Sequence, residues 1–114
     1  MSIAMEYELD RLRETNTQPK DKSGAIPRLG YDIDSGDRKI EVKSETKPWA
    51  RQKTTFKYLT ANEKQNATHL YLVCNIENNP ELKIIDLGKV PKEAWRPETK
   101  YALKMAWCHI ATDE

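Results

Sequence analysis

Cysteine is scarce in this chain: Cys74 and Cys108 are the only two, with no Cys-x-x-Cys spacing and no His pair nearby. That excludes a disulfide framework, makes a zinc site a poor fit, and leaves reduced thiols of a cytoplasmic protein as the expectation. Long apolar runs are missing too. Nothing approaches the roughly 18 residues of a membrane-spanning helix, so no membrane association is expected. The opening residues, MSIAMEYELDRLRE, lack the basic start and apolar stretch of a secretory leader. Aliphatic bulk is thin, with Leu, Ile, Val and Phe together supplying 21 of 114 residues. Such poverty produces disorder only alongside a large net charge. Here the formal net charge is +1, and five Tyr, three Trp and three Met add bulk. The reading is one folded domain over residues 1–114, with a lean core and a very polar surface.

The near-zero net charge hides an uneven distribution. Residues 38–57 carry seven bases (Arg38, Lys39, Lys43, Lys47, Arg51, Lys53, Lys57) against Glu41 and Glu45, whereas the first 14 residues hold four acids and two bases. A local basic stretch attracts phosphates even when the whole chain does not. Taken alone, the same run reads as a solvated lysine-rich loop.

Met5, Leu9 and Leu12 recur at helical spacing and predict a helix over 3–14. Residues 15–30, with two Pro and two Gly, predict a loop with a short extended piece near Ala25-Ile26. Tyr31-Asp32-Ile33, the turn residues 34–37 and the alternating Arg38–Ser44 predict a β-hairpin, with Ile40 and Val42 on one face and Lys39, Glu41 and Lys43 on the other. Pro48 sits in a polar loop over 45–54, and Phe56–Leu59 reads as a short strand. Thr60-Ala61-Asn62-Glu63 fits a capping box opening a helix to about Ala67. His69–Ile76 reads as a central strand and Leu82–Leu87 as another. Tyr101, Leu103, Met105 and Trp107 alternate as in a final strand, with a helix nearly as good a fit. The fold class is α/β (α+β), a central mixed sheet flanked by two helices.

The chemistry concentrates at Asp32 and Glu41-Val42-Lys43. Glu41 and Lys43 share a strand face, and Asp32 joins them if the turn pairs Asp34 with Lys39 or Ser35 is the first residue of a two-residue loop. Two carboxylates at about 4 Å repel by a few kcal/mol at an effective dielectric of ~20. A divalent cation offsets that, and hard oxygens suit Mg²⁺ or Mn²⁺. Lys43 beside it would stabilise charge on a phosphate or handle the attacking water, which together makes the parts for phosphodiester hydrolysis. An E-x-K strand is also common on any solvated sheet face.

Gly30-Tyr31-Asp32-Ile33, Ile40-Glu41-Val42-Lys43, Leu59-Thr60-x-Asn62-Glu63 and Tyr71-Leu72-Val73 together resemble the PD-(D/E)xK, or restriction-endonuclease-like, nuclease superfamily. Within it they resemble the branch first noted at the C-terminus of the NO VEIN protein. The resemblance covers about residues 29–87. It implies a core of helix, three-stranded antiparallel meander, helix and strand, and a Mg²⁺-dependent nuclease. It also implies that Asp32 and Glu41 hold the metal with the Val42 carbonyl, that Lys43 is catalytic, and that a Glu of the first helix joins them: Glu8 is the candidate and Glu6 the fallback. Gln65 is followed four residues later by His69 rather than Tyr, which argues against a processive exonuclease and for an endonuclease.

Lys47, Trp49, Arg51, Lys53 and Asn62 are the candidate nucleic-acid contacts, since an aromatic among bases can stack on a base. Trp49 is equally able to plug the loop onto the domain, and Thr60 and Glu63 are read as cap residues. The expected partner is duplex or branched DNA, with the chain acting as a homodimer or as a module of a larger defence system. The rival reading is a non-catalytic nucleic-acid-binding or protein-interaction module on the same fold.

Overall fold

The computed structural model describes residues 2–54, 56–96, 101–104 and 110–113. Helix α1 (Ser2–Arg11) is followed by strands β1 (Lys20–Asp21), β2 (Ile33–Ser35) and β3 (Arg38–Ser44), then a 3-10 segment at Trp49–Thr54 and strand β4 (Phe56–Leu59). Helix α2 (Ala61–Asn66) leads into β5 (His69–Cys74) and β6 (Glu81–Asp86), and short 3-10 turns precede β7 (Trp95–Arg96), β8 (Tyr101–Lys104) and β9 (Ile110–Asp113). Among the described residues no helix is long and apolar enough to cross a membrane.

The main sheet is mixed and runs β1-β2-β3-β5-β6-β9, and a second sheet runs β4-β8-β7. β1, β2 and β3 form an antiparallel meander, and β5 then lies parallel to β3 with Glu41 beside Leu70 and Lys43 beside Leu72. The crossover between these parallel neighbours contains α2. β5 is buried along its length after His69, as its unbroken apolar sequence requires of a central strand. Each of its fully buried leucines contributes about 1.5–3 kcal/mol.

Two clusters fill the two faces of the sheet. Ile33, Ile40, Tyr71, Val73 and Ile84 pack under Ala4 of α1. Leu70, Leu72, Cys74 and Ile85 pack on the other side against Leu59 and Leu103 of the second sheet. Burial pushes the Cys74 thiol up to about 11, so it is an inert core residue.

Several expectations need correction. The buried face of α1 is Ala4 and Glu8, continued by Leu12, while Leu9 is half exposed. The cause is the carboxylate of Glu8, which is more deeply buried than the leucine stripe beside it. The extended piece of the first loop is at Lys20–Asp21, paired with β2, not at Ala25-Ile26. β2 begins two residues later than its apolar residues suggest, and pairing continues to Ser35 opposite Arg38, leaving Gly36-Asp37 as the tip. Gly36 there takes a positive φ of 70°, which a side chain resists. The loop after Ser44 contains a 3-10 segment, and the second sheet was not expected. Of the proposed final strand, Tyr101–Lys104 forms β8, while 105–109, with Trp107 and Cys108, lie outside the described residues.

Candidate functional site

The hairpin register puts Ile33 opposite Ile40 and Asp34 opposite Lys39, and Asp32 directly precedes this ladder. Asp32 is fastened on three sides. Its N–H donates to the Ile40 carbonyl at 2.7 Å and its carbonyl accepts from the Lys22 N–H at 2.7 Å. Its carboxylate Oδ2 accepts from the Val42 N–H at 2.9 Å. A side-chain oxygen thus ties Asp32 to the strand that carries Glu41 and Lys43. Because Ile40 and Val42 face α1, alternation sends Glu41 and Lys43 to the opposite face.

Helix α2 supplies the facing wall. Thr60 accepts from the Glu63 N–H, and Glu63 Oε1 accepts from the Thr60 N–H at 3.0 Å, completing the capping box. Gly30, at φ +87°, lies so close to α2 that a Cβ there would meet the Asn62 carbonyl oxygen at 2.5 Å. The Asn62 amide donates to the Arg28 carbonyl at 3.1 Å. Loop and helix close on a cleft of about 260 Å³, lined by Arg28, Tyr31, Asp32, Glu41, Asn62 and Glu63 among others. Lys43 Nζ stands 3.5 Å from Glu41 Oε2 and 3.8 Å from Glu63 Oε1.

The electrostatics of this cleft are strained. Glu41 is 6% exposed. Burial first, then the charges of Asp32 and Glu63 and a hydrogen bond with Glu63, push its carboxyl up to about 8, against the pull of Lys43. Three acids face one ammonium, so a proton or an added cation must complete the balance.

Asp32, Glu41 and Lys43 are therefore brought together, with Val42 bonded to the first of them. Glu8 is not with them. Its carboxylate is fully buried on the α1 side, where it accepts from Ser35 Oγ at 2.6 Å, Arg11 Nε at 2.8 Å and the Tyr71 hydroxyl. Burial alone would raise its pKa, but these donors outweigh it and hold the carboxyl below its ordinary value. Glu8 thus pins α1 to the sheet, on the face opposite Glu41. The fallback, Glu6, does not line the cleft.

The basic run also divides. Lys57 pairs with Glu45 at 2.7 Å, Lys39 with Asp34 at 2.9 Å, and Arg38 donates to the Tyr71 hydroxyl beside Glu8. Lys47 and Arg51 remain exposed, and the Lys53 side chain lies outside the described residues. Trp49 is half-buried and packs against the Leu59–Leu103 cluster. Asn62 is exposed but has both ends of its amide engaged, with Asn66 donating to its Oδ1 at 2.6 Å. Asp86 accepts from the Gly88 N–H at 3.0 Å as a turn cap.

Sequence reasoning missed Glu63 and Arg28 as cleft residues. Glu63 reads from the sequence as a cap residue, and the signal that it does more is its place in the Leu59-Thr60-x-Asn62-Glu63 segment, which the fold sets beside Gly30. Arg28 sits in a Pro-containing loop whose pattern gives no orientation. Among curated proteins, no sequence matches the chain. The family model described as Protein NO VEIN, C-terminal, matches residues 2–85, a span holding both helices, the hairpin and every cleft residue, and the chain belongs to that family.

Proposed function

We propose that this chain is a Mg²⁺- or Mn²⁺-dependent nuclease that hydrolyses phosphodiester bonds of DNA, acting as an endonuclease. The observation that carries the reading is Glu41, a deeply buried carboxyl crowded by Asp32 and Glu63 in an open cleft, with Lys43 at hand. A sheet face that served only for packing would not retain so costly a group. The order of helix, antiparallel meander, helix and parallel strand also supports it, being the core that a PD-(D/E)xK nuclease requires.

The donor set fits a hard cation. Among the described residues no three His, Cys, Asp or Glu side chains gather closely enough to enclose a metal by themselves. Mg²⁺ does not need such a cage, because it keeps several waters and takes one or two carboxylates plus substrate oxygens. Asp32 and Glu41 would hold it, with the Val42 carbonyl as a backbone ligand. When bound, the metal supplies Lewis-acid neutralisation of the phosphate. Asp32 is kept in place by the Val42 N–H, so its position does not depend on the metal. The Lys43 ammonium offers a hydrogen bond to charge developing on the phosphate or to the attacking water.

The test is cleavage of duplex, branched and single-stranded DNA and of RNA, in Mg²⁺, Mn²⁺ or chelator, by wild type and Lys43→Ala. Metal-dependent DNA cleavage that falls at least about 100-fold in the variant is expected. Cleavage unaffected by Lys43→Ala would overturn the assignment. DNA binding without cleavage in any metal would favour the non-catalytic binding module instead.

A further inference from the structure

We propose that Arg28 is the substrate-phosphate-binding residue of this cleft and that Asn62 positions it, an inference that rests on the nuclease reading. The first observation is a contrast in how cations are used. Arg11, Arg38, Lys39, Lys43 and Lys57 are all paired with carboxylates within the fold. Arg28 lines the same cleft as Asp32, Glu41 and Glu63, yet among the described residues its guanidinium makes no ion pair or hydrogen bond. Arg28 is exposed, so a guanidinium that no carboxylate of the fold engages stays open to another anion at this cleft.

The second observation is that the backbone at Arg28 is built rather than loose. The Asn62 amide grips its carbonyl at 3.1 Å, and Gly30 is seated against the Asn62 backbone where no side chain would fit. Asn66 in turn holds the Asn62 amide. The Arg28 backbone is thereby fixed to the start of α2, the element that also brings Glu63 to the cleft.

The third point is electrostatic. Asp32, Glu41 and Glu63 make the floor of the cleft a poor seat for a phosphodiester without an added cation. A metal held by Asp32 and Glu41 neutralises one place in it, and an anionic strand extends beyond a single phosphate. Arg28 at the rim offers the fork geometry that binds a second phosphate bidentately. Asn62, read from the sequence as a contact, has its amide committed to this support.

The experiment uses the full chain and a labelled DNA oligonucleotide in Ca²⁺, with binding followed by anisotropy over a salt series and Mn²⁺ binding measured without DNA. Arg28→Ala should weaken DNA binding by roughly ten- to a hundred-fold. It should also flatten the log–log salt slope by about 0.9 on duplex or about 0.7 on single strands. Arg28→Lys should keep the slope and lose part of the affinity, since charge remains without the fork. Asn62→Ala should likewise keep the slope but weaken binding. Mn²⁺ binding and thermal stability should be unchanged in Arg28→Ala. An unchanged slope in Arg28→Ala overturns the inference, as does equal flattening by Lys89→Ala, which removes an exposed charge outside the cleft. If wild type cleaves but Arg28→Ala binds normally, only the inference falls. If wild type neither binds nor cleaves DNA, the nuclease reading falls and takes Arg28 with it.

Discussion

Glu41 concentrates the conflict of this protein in one side chain. Its carboxyl prefers a proton in the fold up to about pH 8, whereas an unfolded Glu releases it near 4.5. Between those values the folded state binds more protons than the unfolded one, so stability falls as pH rises through that window. Glu41→Gln removes the effect while keeping the shape. In chelator near pH 8 the variant should melt above wild type, and near pH 5 the two should coincide. Adding Mg²⁺ near pH 8 should raise the wild-type melting temperature and leave the variant's nearly unmoved, because a ligand that binds only the native state stabilises it. A wild type that gains nothing on acidification relative to Glu41→Gln would show that the carboxylates are not crowded. The alternation of Ile40 and Val42 against Glu41 and Lys43 made this residue visible in the chain itself, since a period of two needs no tertiary knowledge. Glu63 was hidden by the opposite circumstance: one local role, the cap, explained it completely.

At the scale of elements, α2 and the Gly30 loop decide whether the cleft exists. Thr60→Ala removes the acceptor for the Glu63 N–H and should cost about 1 kcal/mol. Glu63→Gln retains a capping acceptor and should cost less in denaturant titration, while removing a charge that faces Lys43. A larger loss from Glu63→Gln than from Thr60→Ala would mean that the ion pair, not the cap, holds α2. Gly30→Ala meets both a positive φ and the Asn62 carbonyl, so it should destabilise by at least about 1–3 kcal/mol, whereas Gly24→Ala, with open space around it, should stay within about 0.5 kcal/mol. These elements differ in how far they were legible. β3, β4 and α2 have self-contained signals, namely strict alternation, a short aromatic run and a reciprocal cap, and their boundaries were read closely. β1 is two residues of Lys and Asp that pair only because β2 is there, and the β4-β8-β7 sheet joins segments far apart in sequence. Neither has a local pattern to detect.

The whole molecule sets two unlike polar centres on the two faces of one sheet. On the α1 side Glu8 is satisfied by Arg11, Ser35 and Tyr71, and its pKa is lowered. On the α2 side Glu41 is crowded, and its pKa is raised. This division is why Glu8 could not be assigned from the helix alone. Its spacing places it beside the apolar stripe, but only the pairing of β2 with β3 determines which face of the sheet that stripe covers. The two centres give opposite slopes of stability with pH. Glu8 contributes stability that is present above its unfolded pKa of about 4.5 and is lost as pH falls through its lower folded value. His69, whose pKa is lowered first by burial and then by Arg38, acts in the same sense, with stability lost as pH falls below about 6.5. Glu41 acts against both, with stability lost as pH rises toward 8. Metal-free protein should therefore be most stable in mildly acidic buffer and decline on either side. A divalent cation held as proposed by Asp32 and Glu41 should remove only the alkaline decline, because it would replace the proton at Glu41 and touch nothing on the α1 face. Thermal melts across the pH range, with chelator and then with Mg²⁺, measure this directly. Tyr71→Phe, which takes one donor from buried Glu8, should cost about 1–3 kcal/mol and make the acid limb shallower, because Glu8 is then held less far below its unfolded pKa, while leaving the Mg²⁺-sensitive alkaline limb as it is in wild type. If that variant instead altered the alkaline limb, the two faces would be coupled through β3 and β5 rather than independent.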